Sequence, residues 1–119
     1  MSTNLKVLLA KANELISSIN VVEAKKELHN ENYVFIDVRE KLELTSDGEI
    51  PGAIHIPRGM LEFYLDSNSP YYKEIFSLNK KFIFVCKSGG RSVLAAKTAT
   101  DMGLKNAINL SGGILEWKK

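Results

Sequence analysis

Five short β-prone runs alternate with helical segments along this chain, and that alternation restricts its fold more than any other feature. The runs are a short stretch beginning in Ile16 to Val21, then Tyr33 to Ile36 ending at Asp37, Ala53 to Ile56, Phe82 to Val85, and Ala107 to Leu110. Pro51-Gly52 and Pro57 bound the third, and Phe82 to Val85 is the most apolar. Ahead of them Leu5, Leu8, Leu9, Ala12, Leu15 and Ile16 repeat as one helical stripe, which predicts a helix from Ser2 to Leu15 with Ser2 or Thr3 as N-cap. Further helices are expected over Val21 to His29 with Asn20 as cap, Arg58 to Leu65, Ser92 to Met102 stopping at Gly103, and a last turn over Ile114 to Trp117. Asp66 to Tyr72 is turn-rich and reads as an exposed connection. Strands that alternate with helices give an α/β fold with a central, mainly parallel five-stranded sheet covered on both faces. The expected organisation is an added helix over residues 1–15 ahead of one compact domain over 16–119.

Such sheets bind their ligands in a crevice beyond the carboxyl ends of the strands. Asp37, Arg58, Cys86 and the Ser111-Gly112-Gly113 stretch each directly follow a predicted strand. Residues far apart in sequence should therefore meet along one edge of the sheet.

Composition narrows the partners. Sixteen basic and fourteen acidic side chains leave a net charge of +2, too little to call for nucleic acid. Small anions need only a few well-placed cations. One cysteine closes no internal disulfide, and one Cys with two separated His, His29 and His55, does not make a zinc site. The apolar run Val7 to Ala10, flanked by Lys6 and Lys11, is too short for a signal-peptide core or a membrane span. The expectation is a soluble protein of a reducing compartment, most simply the cytoplasm, with no nucleic-acid or membrane partner and no metal.

Cys86 ends the most apolar strand run and opens Lys87-Ser88-Gly89-Gly90-Arg91, after which a helix begins. Gly89 and Gly90 reach backbone angles closed to other residues, so successive N–H groups can turn inward around a small anion. The next helix adds its free N–H groups and the positive end of its dipole. A sulfur at the centre of that ring is favoured as thiolate, the reactive form. Lys87 and Arg91 add positive charge. A cysteine that merely packs gains nothing from two glycines and two cations. Arg91 near a helix N-terminus also opposes the dipole unless an anion lies beside it.

Four segments, FIDVRE (Phe35 to Glu40), GEIPGAIHIPRG (Gly48 to Gly59), VCKSGGRS (Val85 to Ser92) and LSGGILEW (Leu110 to Trp117), stand in an order and spacing that resemble the single-domain rhodaneses, a sulfurtransferase family. The likeness runs from about Ile16 to Trp117. One departure is Glu49, where the family often has histidine, in the turn that enters a strand. The resemblance implies a rhodanese-like three-layer α/β/α domain and a catalytic Cys86. Its thiolate would take the outer sulfur of thiosulfate or a related donor, and a thiol, cyanide or a protein acceptor would remove it. The amides of Lys87, Ser88, Gly89, Gly90 and Arg91 would hold the anionic sulfur, while Arg91, Lys87 and Arg58 would hold the donor's oxyanion. No metal or organic cofactor is implied.

Other readings compete. A persulfide carrier or a non-catalytic rhodanese-like binding module would share the fold, although such modules usually lack the cysteine. Thiol-based phosphatases and arsenate reductases also set cysteine and arginine across a glycine-bearing loop. Those phosphatases have one more intervening residue than the four here, giving a ring wide enough for phosphate, and Val85 stands where they carry histidine. Asp37 and Arg39 are read as a supporting ion pair, His55 as a packed, hydrogen-bonded side chain, and Trp117 as a packing aromatic.

Overall fold

The computed structural model describes residues 2–119; Met1, the first residue of the 1–15 segment, lies outside them. The elements follow in the order α1 (Leu5–Leu15), β1 (Ser17–Ile19), α2 (Val21–Lys26), β2 (Tyr33–Asp37), α3 (Lys41–Asp47) and β3 (Ile54–His55). Then come α4 (Leu61–Leu65), β4 (Lys81–Val85), α5 (Gly90–Asp101), β5 (Ala107–Leu110) and α6 (Gly113–Trp117). Single 3-10 turns stand at Arg58–Met60 and Glu74–Ser77. The strands form one sheet in the order β1-β5-β4-β2-β3, and every pair is parallel.

The central strand shows why the sheet needs cover on both faces. Phe82 and Phe84, with Cys86 beyond the strand end, enter a core with Ala12, Val93, Ala96 and Ala99 of α1 and α5. Ile83 and Val85 point the other way, toward Ala24, Leu110 and Ile114. All four strand residues from Phe82 to Val85 are fully buried. Each contributes about 1.5–3 kcal/mol of hydrophobic stabilisation, so β4 is the best-anchored element from which to hang a site.

Chain direction then places the crevice. From β2 the chain leaves toward β3, at one edge of the sheet; from β4 it leaves toward β5, on the other side. The two loops part between the carboxyl ends of β2 and β4, which is where open parallel sheets hold their ligands. The Val38 N–H donates to the Val85 carbonyl at 2.9 Å, joining the strand ends at that point.

Three expectations are adjusted. The cap of α1 is Asn4, which accepts from the Val7 N–H at 3.0 Å, so the helix starts later than Ser2. Of its predicted stripe only Ala12 and Ile16 are buried, with Leu9 partly so; Leu5, Leu8 and Leu15 stay exposed. α2 keeps its Asn20 cap but ends at Lys26 rather than His29. The segment Lys41–Asp47 carries no apolar stripe, since Leu42 is exposed and Leu44 alone is buried, yet it forms a helix. Its signals are positional: Glu43, which accepts from the Glu40 N–H at 2.9 Å, and Gly48 with a φ of +82° at its end.

Candidate active site

Cys86 is 1% exposed and lies one residue past β4, on the α5 side of the sheet. Its Sγ accepts from the Gly89 N–H at 3.1 Å and from the Ser92 N–H at 3.3 Å. The second of these belongs to the first turn of α5, so the sulfur also meets the positive end of that helix. Gly89 has a φ of +115°, a left-handed conformation that L side chains rarely adopt. Gly90 does not need that freedom: it starts α5 with a helical backbone and open space where a Cβ would stand. One glycine, not two, shapes the ring.

Two polar side chains that the sequence reading did not single out complete the surroundings of the sulfur. Ser92 Oγ lies 3.2 Å from Cys86 Sγ, and its hydroxyl donates to Asn109 Oδ1 at 2.6 Å. Ser92 is fully buried and Asn109 is 4% exposed. The available signal was Asn109 itself, a polar residue inside the apolar run Ala107–Leu110, where a buried partner is required.

The backbone of the cysteine is clamped by the start of α6. The Ile114 N–H donates to the Cys86 carbonyl at 3.0 Å and the Leu115 N–H to the Lys87 carbonyl at 3.1 Å. A Cβ on Gly113 would stand 2.5 Å from both carbonyl oxygens, so only glycine allows this approach. The Gly-Gly of the last motif is thus a fitting surface for the cysteine loop.

Arg91 lies at the mouth of the loop. Its two terminal nitrogens donate to the Glu43 carboxylate, each at 2.8 Å. Those bonds, opposed by partial burial and aided by the Glu40 N–H and by the charges of Arg91 and Arg39, bring the Glu43 carboxyl down to about 2 from its ordinary 4.5. In return Glu43, opposed by partial burial, raises the Arg91 guanidinium, and the charge of Cys86 acts in the same upward direction. The anion that a basic residue at a helix N-terminus requires is therefore an internal carboxylate, supplied by α3.

Asp37 and Arg39 are both 1% exposed and form a bidentate pair, with contacts of 3.0 Å at Nε–Oδ1 and 2.8 Å at Nη2–Oδ2. Arg39 Nη2 also donates to the Gly48 carbonyl at 2.8 Å, and His55 Nε2 lies 2.6 Å from the Arg39 carbonyl. This buried knot holds the end of α3, and with it Glu43, against β2 and β3.

Lys87 and Ser88 are exposed at the loop surface. Arg58 stands elsewhere. It pairs with Glu62 at 3.0 Å and donates to Thr98 Oγ1 at 3.0 Å, about two turns along α5 from Arg91. It lines a hollow with Leu8, Lys11 and Leu94, and the structure does not bring it to the loop. Beside the loop is a cleft of about 300 Å³ lined by Leu9, Asn13, Ser88, Gly89, Asn109 and Ser111, so α1 forms one of its walls. A larger hollow, about 530 Å³ among Asn30, Asn32, Tyr33, Lys81 and Asn106, opens at the amino ends of the strands and contains none of these groups.

The rhodanese-like domain family matches residues 20–119, and the chain belongs to that family. It is 35% identical over 100 residues to a mouse thiosulfate sulfurtransferase/rhodanese-like domain-containing protein 3, a match spanning 80% of this chain and 64% of the mouse protein. It is 34% identical over 97 residues to the putative sulfurtransferase YtwF of Bacillus subtilis, covering 82% of this chain and 80% of that one. Among solved structures, a protein of unknown function from Rhodopseudomonas palustris, described as a possible tyrosine phosphatase, superposes with a TM-score of 0.95 at 42% identity, over 99% of this chain and 91% of that one. The chain is thus a rhodanese-like sulfurtransferase-family protein with a single cysteine at the centre of its loop. No helix among the described residues is long and apolar enough to cross a membrane.

Proposed function

We propose that this protein transfers the outer sulfur of thiosulfate, or of a closely related anionic donor, through a persulfide on Cys86. The carrying observation is the pair of main-chain N–H groups, from Gly89 and Ser92, aimed at Cys86 Sγ. They stabilise negative charge on that sulfur without a positioned base. The thiolate attacks the outer sulfur; a new S–S bond forms, the bond to the sulfonate sulfur breaks, and its electron pair leaves with sulfite. The persulfide anion then gives its outer sulfur to a nucleophile. Cyanide becomes thiocyanate, or a thiolate becomes a persulfide, and the Cys86 thiolate returns.

Lys87 and the exposed part of Arg91 receive the donor's oxyanion, with Arg91 exchanging Glu43 for the sulfonate. Arg58, engaged by Glu62 and Thr98, is left out of this step. The cleft beside α1 is the path for the acceptor, residues 1–15 being an addition to a domain over 16–119. A thiol that must return reduced in every cycle fits a reducing compartment, and we assign the cytoplasm.

A phosphatase reading is raised by the description of the Rhodopseudomonas relative. Against it stand the four residues between Cys86 and Arg91, and Asp37, the acid at the adjacent strand end, buried and bound to Arg39. Purified protein supplied with thiosulfate and cyanide should release sulfite and thiocyanate in ping-pong fashion, and Cys86→Ser should release neither. Hydrolysis of an aryl phosphate without thiocyanate would establish the phosphatase reading instead. Inactivity in both assays would favour a carrier or a binding module.

A further inference from the structure

We infer that Asn109 is a positioning residue that decides, through the Ser92 hydroxyl, whether Cys86 keeps its proton. The inference rests on the sulfurtransferase reading only in taking the Cys86 thiolate as the working form. Its basis is a hydroxyl that lies between two partners and can donate to one of them at a time. Ser92 Oγ contacts Asn109 Oδ1 at 2.6 Å and Cys86 Sγ at 3.2 Å, and a hydroxyl has a single hydrogen to donate. The shorter contact takes it. A lone pair of Ser92 Oγ then faces the sulfur and accepts an S–H, an arrangement that suits the thiol.

All three residues are almost wholly buried, with exposures of 1% for Cys86, 0% for Ser92 and 4% for Asn109. Unpaired polar atoms are costly at such a place. When Cys86 gives its proton to a buffer base, the Ser92 hydrogen must turn to the sulfur. The thiolate then has three donors: the Gly89 N–H, the Ser92 N–H and the Ser92 hydroxyl. Asn109 loses the hydrogen it was accepting, but a carboxamide turned over presents N–H₂ to Ser92 Oγ with almost the same shape. Asparagine can therefore accommodate the thiolate, but only after its carboxamide turns over, so the arrangement in place favours the thiol. A leucine cannot hold the Ser92 hydrogen at all, and an aspartate would hold it permanently.

The charged groups around Cys86 are Lys87 and Arg91 of the loop, Glu43 and Glu40 on the far side of Arg91, the internally paired Asp37 and Arg39 at the end of β2, and Glu116 over Gly112 at the start of α6. β5 has no titratable side chain, and α1 presents Leu9 and Asn13 to the cleft beside the loop. Substitution at 109 leaves all of these charges in place.

The test is the pH profile of iodoacetamide alkylation of the reduced, donor-free protein, which has one cysteine to report. Asn109→Leu should lower the midpoint by about one pH unit, and Asn109→Asp should raise it by about as much. In a Ser92→Ala background the leucine effect should vanish and the aspartate effect should shrink to what its charge alone produces. An unmoved midpoint in Asn109→Leu, or equal shifts with and without Ser92, would overturn the inference. Should Asn109→Leu fail to fold, the aspartate pair decides, since Asp matches Asn in size. Alkylation needs no sulfur donor, so this result is independent of whether sulfur transfer is observed.

Discussion

Arg39 and Arg91 make nearly the same bond and play opposite parts. Each grips a carboxylate through two nitrogens, with closest contacts of 2.8 Å to Asp37 and to Glu43 respectively. The Asp37–Arg39 side chains are 1% exposed; in the second pair, Arg91 is 41% exposed and Glu43 25%. A sealed pair cannot change partners, and its loss strands a buried charge. An open pair is screened by water and can trade its carboxylate for another anion. The first builds the crevice; the second guards its mouth.

Breaking the sealed pair should have the largest effect. Arg39→Met removes the guanidinium from the buried Asp37 carboxylate, leaving it the residue-39 N–H as donor, and should cost about 3–5 kcal/mol in urea unfolding. A loss below about 1 kcal/mol would mean that water reaches Asp37. Arg91→Ala should cost less stability than Arg39→Met but lower kcat/KM for thiosulfate by about tenfold, through KM, as expected for one charge-assisted contact to the donor. Arg58→Ala, as a surface comparison, should change it less than about twofold. If Arg58→Ala proved the more damaging, the donor would bind on the α1–α5 side.

Glu43→Gln sharpens the contrast with a smaller effect. It frees Arg91 and should lower the KM for thiosulfate. It also removes a carboxyl whose value falls from 4.5 to about 2 on folding. A depressed folded-state value adds stability that is fully present above 4.5 and disappears as the pH drops toward 2. The stability gap between wild type and Glu43→Gln should therefore close across that window, and a gap constant through it would show that Arg91 is not Glu43's partner in solution.

The same contrast explains what was legible in advance. The loop of Lys87 to Arg91 could be read because its chemistry is contiguous: a cysteine, a glycine with a left-handed backbone and an arginine stand within a few residues. The strands were legible because Phe82 to Val85 and Tyr33 to Asp37 are unbroken apolar or β-prone runs ending in a polar residue or the cysteine. α3 was not, because a helix with one buried residue leaves no stripe, and with it went the identity of the anion beside Arg91. Ser92 and Asn109 were hidden for another reason. Ser92 looks like an ordinary helix-start residue, and Asn109 meets it only when β5 lies beside β4. Arg58 shows the converse error: following a strand puts a residue near the right edge, but the 3-10 turn at Arg58–Met60 directs it toward Glu62 and Thr98.

The most direct test is the mass of the intact protein after thiosulfate alone, with no acceptor present. The account predicts a species heavier by one sulfur atom, located to Cys86, formed together with one equivalent of sulfite and returned to the starting mass by cyanide. An unchanged mass with no sulfite released would contradict it, because a sulfur held by the Gly89 and Ser92 amides would then not be the sulfur that reacts.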